Sequence, residues 1–155
     1  MKILTRLLAA SALFFFAANA YAKTCKFTVK GSDAMQYDIK EIKIEKECKT
    51  VEITLQHSGK LPKVAMGHNL VISKTSDIEG VNKDGIAAGP TADYVKKGDK
   101  RVIAATKVVG GGEKDTISFS VDKLKAGEDY SYFCTFPGHY TIMRGKLILV
   151  PVKSS

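Results

Sequence analysis

The sequence predicts an all-β domain, a Greek-key sandwich or barrel of about eight short strands with one short helical excursion around residues 76–89. Two stretches alternate strictly between apolar and polar residues, as half-buried strands do: TVEITLQH at 50–57 and TISFSV at 116–121. Turn-forming segments such as HSGKLP, GGGEKD and KAGED separate these stretches from their neighbours. Short strands divided by turns of this kind are typical of a β-sandwich.

The strands are predicted in chain order from their apolar and β-branched content. In TVEITLQH, one face carries Val51, Ile53, Leu55 and His57, and this face should be the buried one. The other predicted strands lie at 25–29, 37–44, 69–73, 101–109, 129–135 and 144–152.

One segment, TSDIEGVNKDGIAAGP, departs from the strand pattern. Ser76 and Glu79 stand at the spacing of a capping box, and Gly89 followed by Pro90 is a stop signal. These two signals predict a short helix that interrupts the succession of strands.

The first 22 residues differ in composition from the rest of the chain. Lys2 and Arg6 precede the apolar run LLAASALFFFAA, and the segment ends in the small-residue pattern Ala20-Tyr21-Ala22. We therefore expect residues 1–22 to be a secretory signal peptide, cleaved after Ala22 or, alternatively, after Ala20. The apolar run is shorter than the roughly 20 residues of a membrane-spanning helix, so we expect no membrane span. This organisation favours export to a bacterial periplasm, with residues 23–155 as one domain.

The charge of the exported chain is moderately basic. Cleavage removes two of the 24 basic residues and none of the 16 acidic ones, so the formal charge falls from +8 to +6. The lysines are scattered and are not interleaved with aromatic residues, and no nucleic-acid-binding module is evident. Nucleic acid is therefore not an expected partner.

Three cysteines in an oxidising compartment leave one thiol unpaired after a single disulfide. Cys25 and Cys48 lie in lysine-rich, strand-like segments without a nearby histidine, which favours a structural bridge between them. Cys134 then has three interpretations: a buried inert thiol, a catalytic nucleophile or a metal-binding thiolate.

The stretch CTFPGHYTIM brings three soft donors close together in sequence: Cys134, His139 and Met143. Two histidines and one cysteine with a weak axial methionine form the ligand set of blue-copper electron-transfer sites. The second histidine must come from elsewhere. His68, in AMGHNLVIS, is favoured by its small neighbour and the strand that follows it, while His57 is expected to be a core or half-buried residue of its strand.

A cysteine hydrolase and a structural zinc site fit the same residues less well than copper does. A cysteine hydrolase needs an orienting third residue and a strand-to-helix elbow, and neither is evident. Methionine is a poor ligand for structural zinc. Four donors leave no open position for a substrate, which favours electron transfer and indicates that the protein is not an enzyme. A copper-delivery or storage protein is the other hypothesis, but three histidines and four methionines in the whole chain favour the carrier.

The chain from CKFTVKGSDAMQYD to RGKLIL resembles the azurins, a family of small periplasmic blue-copper proteins with the cupredoxin fold. The motifs MGHN and CTFPGH, the latter followed by a methionine, carry this resemblance. It implies one plastocyanin-like (cupredoxin) domain over residues 23–155. It also implies a periplasmic carrier that shuttles single electrons between redox proteins through one type 1 copper ion cycling between Cu(I) and Cu(II).

The resemblance also implies a ligand set. Copper would lie in the plane of His68, Cys134 and His139, with Met143 as a weak axial ligand and the Gly67 carbonyl as a more distant axial contact.

Further residues are implied to support that site. Asn69 would tie the two ligand loops together, and the backbone N–H groups of Asn69 and Phe136 would point at the Cys134 sulfur. Cys25 and Cys48 would form the family's disulfide. His57 would lie near the site without being a ligand.

An apolar docking patch is implied around the edge of His139. We define this docking patch by eight residues: Met35, Leu61, Ala65, Met66, Phe136, Pro137, Gly138 and Ile142. A flat apolar surface suits brief docking and fast release. The expected partners of the monomer are redox proteins such as c-type cytochromes or copper and haem oxidoreductases.

Overall fold

Two β-sheets form the framework of residues 23–151, the part of the chain that the computed structural model describes. The predicted signal peptide at 1–22 and the last residues of the predicted domain, 152–155, lie outside the described residues. Within residues 23–151 there are nine strands: β1 (Thr24–Ser32), β2 (Gln36–Tyr37), β3 (Glu41–Glu45), β4 (Thr50–His57), β5 (Val71–Lys74), β6 (Ala104–Ala105), β7 (Lys114–Ser120), β8 (Tyr130–Phe133) and β9 (Arg144–Val150). The predicted all-β sandwich is confirmed.

The strands divide between a four-stranded and a five-stranded sheet. The first has the order β2-β1-β4-β7, and the second has the order β3-β9-β8-β5-β6. The pairs β1–β4 and β3–β9 are parallel, whereas the other pairs are antiparallel. Parallel neighbours need crossover connections, so the chain passes repeatedly from one sheet to the other.

Short helical segments lie in the connections. α1 covers Lys63–Met66, and α2 covers Ile78–Ala88. Three 3-10 turns add Thr75–Asp77, Pro90–Ala92 and Val121–Lys123. In the part of the chain that is described, no helix is long and apolar enough to cross a membrane.

The main core lies between the two sheets and follows the alternation of β4. Val51, Ile53 and Leu55 have no exposed surface, and His57, the last residue of the same face, is 1% exposed. The neighbouring strands supply the apolar residues that pack against them, including Val29, Phe119, Tyr132 and Leu147. The face predicted for this strand is therefore the buried face.

A second, smaller core lies on the outer side of the five-stranded sheet. Successive residues of β8 point to opposite faces, so Tyr132 enters the main core and Phe133 faces outward. Phe133 pairs in register with Val71 of β5, and both pack against Ile78 and Val81 of α2. The helix thus covers apolar sheet surface that would otherwise contact water.

Two predicted strands, at 37–44 and 101–109, differ from the observed structure, and so does the start of the predicted helix. Residues 37–44 do not form one strand, because the chain leaves the four-stranded sheet after Tyr37 and enters the five-stranded sheet at Glu41. The predicted strand at 101–109 is reduced to Ala104–Ala105 and one isolated bridge between His68 and Val109.

The helix prediction at 76–89 matches α2 closely, but its start is wrong. Ser76 lies within a 3-10 turn, Asp77 is the residue that precedes the helix, and no side chain caps the helix start. The stop signal is correct, since the Gly89 N–H donates to the carbonyls of Gly85 and Ile86.

A disulfide joins Cys25 of β1 to Cys48, with Cα atoms 5.7 Å apart. Cys48 is fully buried. The bridge lies near the start of β1, whereas Gly31 near the other end of that strand contacts the predicted metal ligands. Gly31 lies six positions after Cys25 along the extended strand, a span of about 20 Å.

Replacing both bridge cysteines by serine, Cys25→Ser with Cys48→Ser, should lower the free energy of unfolding of the metal-free protein by about 3.5 kcal/mol. The reason is that the bridge closes a loop of 23 residues in the unfolded chain. Urea unfolding measures the change. The copper-loaded double variant should keep the wild-type visible spectrum, and a changed spectrum would show that the bridge supports the metal site.

Candidate metal centre

The predicted donors His68, Cys134 and His139 meet at one end of the sandwich. His68 lies just before β5, Cys134 directly follows β8, and His139 lies in the loop between β8 and β9. The ligand atoms of all three lie within 4.8 Å of one another. Since β5 and β8 are adjacent antiparallel strands, the start of one and the end of the other are neighbours. Residues 66 positions apart therefore share one buried pocket.

The donor atoms face each other closely. His68 Nδ1 and His139 Nδ1 are 3.3 Å apart, and Cys134 Sγ lies 3.6 Å from His139 Nδ1. His68 and Cys134 have no exposed surface, and His139 is 3% exposed. The group is therefore compact and shielded from solvent.

The loop from Cys134 to Met143 closes on itself through backbone hydrogen bonds. The Cys134 N–H donates to the Met143 carbonyl over 3.0 Å, and the Met143 N–H donates to the His139 carbonyl over 2.8 Å. Gly138 has a φ of 84°, which a glycine adopts without strain. The loop thereby returns to the end of β8, and Met143 is brought back beside Cys134.

The orientation of the His68 ring follows from its other nitrogen. Nε2 lies 2.8 Å from the Ser32 carbonyl, which can only accept, so Nε2 carries the hydrogen and Nδ1 keeps its lone pair. Burial lowers the pKa of His68 to about 4, outweighing the Ser32 and Gly67 carbonyls, which favour the charged ring. Nδ1 is therefore available as a metal ligand at neutral pH.

The Cys134 thiol is buried and carries hydrogen bonds from the backbone. Burial raises the pKa of Cys134 to about 12, although the N–H groups of Asn69 and Phe136 act in the opposite direction. A cation in the pocket would favour the thiolate for the same electrostatic reason. Burial also lowers the pKa of His139. The pocket thus offers one thiol and two neutral imidazoles, which fit a soft metal ion such as copper.

Met143 and His68 both lie over the backbone of Gly31. A Cβ on Gly31 would come within 2.9 Å of His68 Cδ2 and 3.0 Å of Met143 Cε, so both side chains close over this glycine. Met143 has no exposed surface. The Gly31 position was missed from the sequence because the contact joins segments that are far apart in the chain.

Gly67 separates α1 from His68 in a crowded position. A Cβ there would lie 2.5 Å from the Lys63 carbonyl oxygen, 2.5 Å from Val108 Cγ1 and 2.9 Å from Phe136 Cε2. The residue before His68 must therefore be small, and its carbonyl lies near the His68 ring.

His57 stacks on His68 but does not face the other donors. The two rings are 4.4 Å apart and nearly parallel, at 10°. The Gly59 N–H donates to His57 Nδ1 over 3.0 Å, and His57 Nε2 lies 2.8 Å from the Met66 carbonyl. Both ring nitrogens are thus engaged by the backbone, and this distinguishes His57 from His68.

Asn69 joins the two ligand-bearing segments. Its Oδ1 accepts from the Thr135 N–H over 2.8 Å, and its Nδ2 donates to Thr135 Oγ1 over 2.7 Å. Both residues have no exposed surface. Because Asn69 follows His68 and Thr135 follows Cys134, these bonds connect the neighbours of two donors directly. Thr135 was not singled out from the sequence, since its partner lies 66 residues away.

The docking patch residues lie in the connections between strands at the same end of the sandwich, with Ala65 and Met66 in α1. Leu61 is 42% exposed and Ile142 is 51% exposed, large values for such side chains. Ala65, Pro137 and Gly138 are also exposed, while Met35, Met66 and Phe136 are half-buried. The ring of Phe136 packs against His139 with centroids 4.9 Å apart.

Val64 extends the apolar surface beside the docking patch. It is 88% exposed in α1, and it lines a cavity of about 310 Å³ together with Tyr94, Val108 and Phe136. Val64 is next to Ala65 of the docking patch in the sequence, but a single valine is a weak indication of a surface contact.

Comparisons with known proteins agree with this geometry. Residues 23–150 match the family described as copper binding proteins, plastocyanin/azurin family. The chain is 56% identical over 125 residues to azurin-2 of Alcaligenes xylosoxydans xylosoxydans, covering 81% of this chain and 97% of that protein. It is 55% identical over 125 residues to the azurin of Alcaligenes faecalis, covering 81% and 98%.

A solved structure is similar as well. The azurin Az-iso2 from Methylomonas sp. strain J superposes with a TM-score of 0.79 at 43% identity, covering 81% of this chain and 98% of that one. The resemblance to azurins expected from MGHN and CTFPGH is confirmed.

Replacing Gly31 by alanine should disturb the pocket, because the added methyl group has to displace His68 or Met143. We expect the free energy of unfolding of the metal-free protein to fall by about 1–3 kcal/mol, the usual effect of overpacking. Copper titration should also show weaker binding. Thr28→Ala, an exposed position on the same strand, is the matched control. Equal behaviour of the two variants would contradict a tight contact at Gly31.

Proposed function

The chain belongs to the plastocyanin/azurin family of copper-binding proteins, and we propose that it works in the periplasm as a shuttle of single electrons between redox proteins. The family and the pocket together indicate a blue-copper electron carrier with one copper ion. The observation that carries this conclusion is the convergence of a buried thiol and two buried imidazoles within 4.8 Å. The periplasmic location is supported by the predicted signal peptide at 1–22, cleaved after Ala22.

We assign the copper ligands to the residues of this pocket. His68, Cys134 and His139 would be the principal ligands of the ion, and Met143 and the Gly67 carbonyl would contribute weaker contacts. When bound, the ion supplies a one-electron couple between Cu(I) and Cu(II). Thiolate, imidazole and thioether are soft enough to serve both oxidation states.

The protein residues keep the donors in place while the charge of the site changes. The Ser32 carbonyl fixes the ring of His68, and the backbone N–H groups of Asn69 and Phe136 stabilise negative charge on the Cys134 sulfur. The Asn69–Thr135 bonds hold the two loops together. Since the Asn69–Thr135 bonds are buried and the Ser32 bond is partly buried, the donors are held firmly and need to move little when the charge of the site changes.

Electrons are proposed to enter and leave through the edge of His139. This ring is nearly buried, and among the donors it is the one packed directly against an aromatic residue of the docking patch, Phe136. Exposed Pro137 and Gly138 lie between Phe136 and His139 in the chain, so a partner seated on the docking patch comes close to the ring.

The docking patch suits transient contact with redox proteins such as c-type cytochromes or copper and haem oxidoreductases. Its exposed members are apolar and uncharged, which allows brief docking with several partners. A monomer is the form that keeps this surface available. A carrier of this kind needs no catalytic residue, because four protein donors leave no position for a substrate.

Delivery of copper to another protein is the competing function. Handover is faster when the donors are accessible to an acceptor, whereas His68, Cys134 and Met143 have no exposed surface. The burial of the donors therefore favours electron transfer.

The Cu(II)-loaded protein should show an intense blue absorption band that disappears on reduction, because the band arises from the thiolate bound to copper. Cys134→Ser should never form this band, while the Cys25→Ser, Cys48→Ser double variant should retain it. A visible spectrum before and after reduction checks both statements. A colourless copper complex, or rapid transfer of the ion to an acceptor without electron exchange, would contradict the proposal.

Replacing Leu61 by glutamine should slow electron exchange with a soluble c-type cytochrome about five- to tenfold, as expected for a contact worth roughly 1 kcal/mol. Stopped-flow mixing with the reduced cytochrome measures this rate. The blue band should stay unchanged, since Leu61 is not assigned as a ligand. Thr28→Gln, on an exposed face away from the site, is the control. An unchanged rate for Leu61→Gln would remove this residue from the docking surface.

A further inference from the structure

Two consecutive residues near the pocket adopt a left-handed backbone conformation. Asp93 has a φ of 52° and Tyr94 has a φ of 55°. Among residues 23–151, Met35 is the one other residue with a side chain and a positive φ. This conformation is unfavourable for residues with a Cβ, least so for aspartate and most unusual for a bulky ring. It persists where the surrounding contacts enforce it.

The contacts that enforce it come from the side chains of Asn69 and Thr135. Asn69 Nδ2 donates to the Asp93 carbonyl over 2.8 Å, and Thr135 Oγ1 donates to the Tyr94 carbonyl over 2.8 Å. Successive carbonyls point to opposite sides in an extended chain but to the same side in a helical turn of either hand. The left-handed turn therefore presents both carbonyls to the same pair of buried side chains.

A count of hydrogens shows that this turn completes the buried network. Asn69 Nδ2 uses one hydrogen on Thr135 Oγ1 and the other on Asp93, and Asn69 Oδ1 accepts from the Thr135 N–H. The single hydroxyl hydrogen of Thr135 is used on Tyr94. Without the turn, two donors with no exposed surface would lose their acceptors, which is unfavourable inside a protein.

Asp93 also reaches the strand segment beside His68. Its Oδ1 accepts from the Val108 N–H over 2.9 Å. The next residue, Val109, exchanges two backbone hydrogen bonds with His68, of 2.9 and 2.7 Å. Asp93 thus contacts the His68 segment through its carbonyl, which accepts from Asn69, and the neighbouring segment at Val108 through its carboxylate.

Tyr94 makes two further contacts around the pocket. Its ring packs edge-on against Phe136 at 5.3 Å and 73°. Its carbonyl lies so close to α2 that a Cβ on Gly85 would collide with it. The absence of a side chain at Gly85 therefore allows the turn to approach the helix.

We propose that Asp93 and Tyr94 are positioning residues that hold the Cys134 thiol in place for the metal, acting through Asn69 and Thr135. Thr135 is the residue after Cys134, and the N–H of Asn69 stabilises the sulfur, so a shift of the turn shifts the thiol and its hydrogen bond together. The helical excursion and the turn that follows it are then part of the metal centre. This inference rests on the proposed copper site.

The test compares copper-loaded variants at Asp93. Asp93→Ala removes both the acceptor for Val108 and the preference for a left-handed backbone. Copper should then dissociate about tenfold faster into a chelator, the usual effect of losing a residue that orients a ligand, and the blue band should shift. Asp93→Asn keeps the acceptor and the backbone preference while removing the charge. Its copper dissociation rate should therefore lie within twofold of the wild-type rate, and its blue band should match that of the wild type.

Two more variants complete the comparison. Gly98→Ala strains the backbone at another positive φ, of 75°, where a Cβ meets nothing within 4 Å. It should lower the stability of the metal-free protein but leave the band and the dissociation rate unchanged. If Asp93→Ala fails to fold, Asp93→Gly, which adopts the left-handed turn freely and loses the carboxylate, takes its place and should also speed dissociation.

The outcomes separate the two proposals. A wild-type protein that forms no blue band contradicts the copper site itself. A wild-type blue band together with Asp93→Ala and Asp93→Gly variants of unchanged band and dissociation rate would overturn the positioning role. An Asp93→Asn variant that behaves like Asp93→Ala would also overturn it, since the effect would then come from charge.

Discussion

The closeness of three buried donors is the constraint on which the rest of the structure depends. Two imidazole nitrogens 3.3 Å apart, with a thiol beside them, form an arrangement that the chain does not favour by local preference. Hydrogen bonds from surrounding residues impose this arrangement, and those residues lie on backbone segments that the two sheets hold in place. Ser32 at the end of β1 orients one imidazole, and Asn69 joins the segment before β5 to the one after β8. The sandwich supplies the rigidity, and the loops supply the chemistry.

The two ends of β1 contribute to different properties of the protein. Near its start, the disulfide limits the freedom of the unfolded chain. Near its other end, a glycine allows the side chains of His68 and Met143 to pack on the backbone itself. The parallel pairing with β4 runs from one position to the other, from Cys25 opposite Val51 to Gly31 opposite His57. Stability and site geometry therefore depend on the same ladder at opposite ends.

Much of the fold and the donor set could be predicted from the sequence because the relevant signals are local. The alternation of TVEITLQH requires only neighbouring residues, and it predicted the buried face through to His57. The stretch CTFPGHYTIM likewise carries three donors within one loop. The strand predicted at 37–44 was wrong because its apolar residues belong to two different sheets, and a chain that changes sheets keeps the same periodicity. Gly31, Thr135 and Asp93 were missed because their importance arises from partners brought near by folding.

The edges of the two sheets affect how readily the protein aggregates. β2 and β6, each at a sheet edge, contain two residues apiece, and the edge strand β3 points Glu41, Lys43 and Glu45 toward solvent. Very short or charged edge strands are poor templates for the addition of another chain. Proteins that collide with these edges are expected to separate again without lasting contact, even though apolar loops are exposed at one end of the sandwich. These three edges are thus protected from aggregation, and only the fourth edge, β7, is a longer strand without charges along most of its length, while the apolar loops at one end stay available for contact.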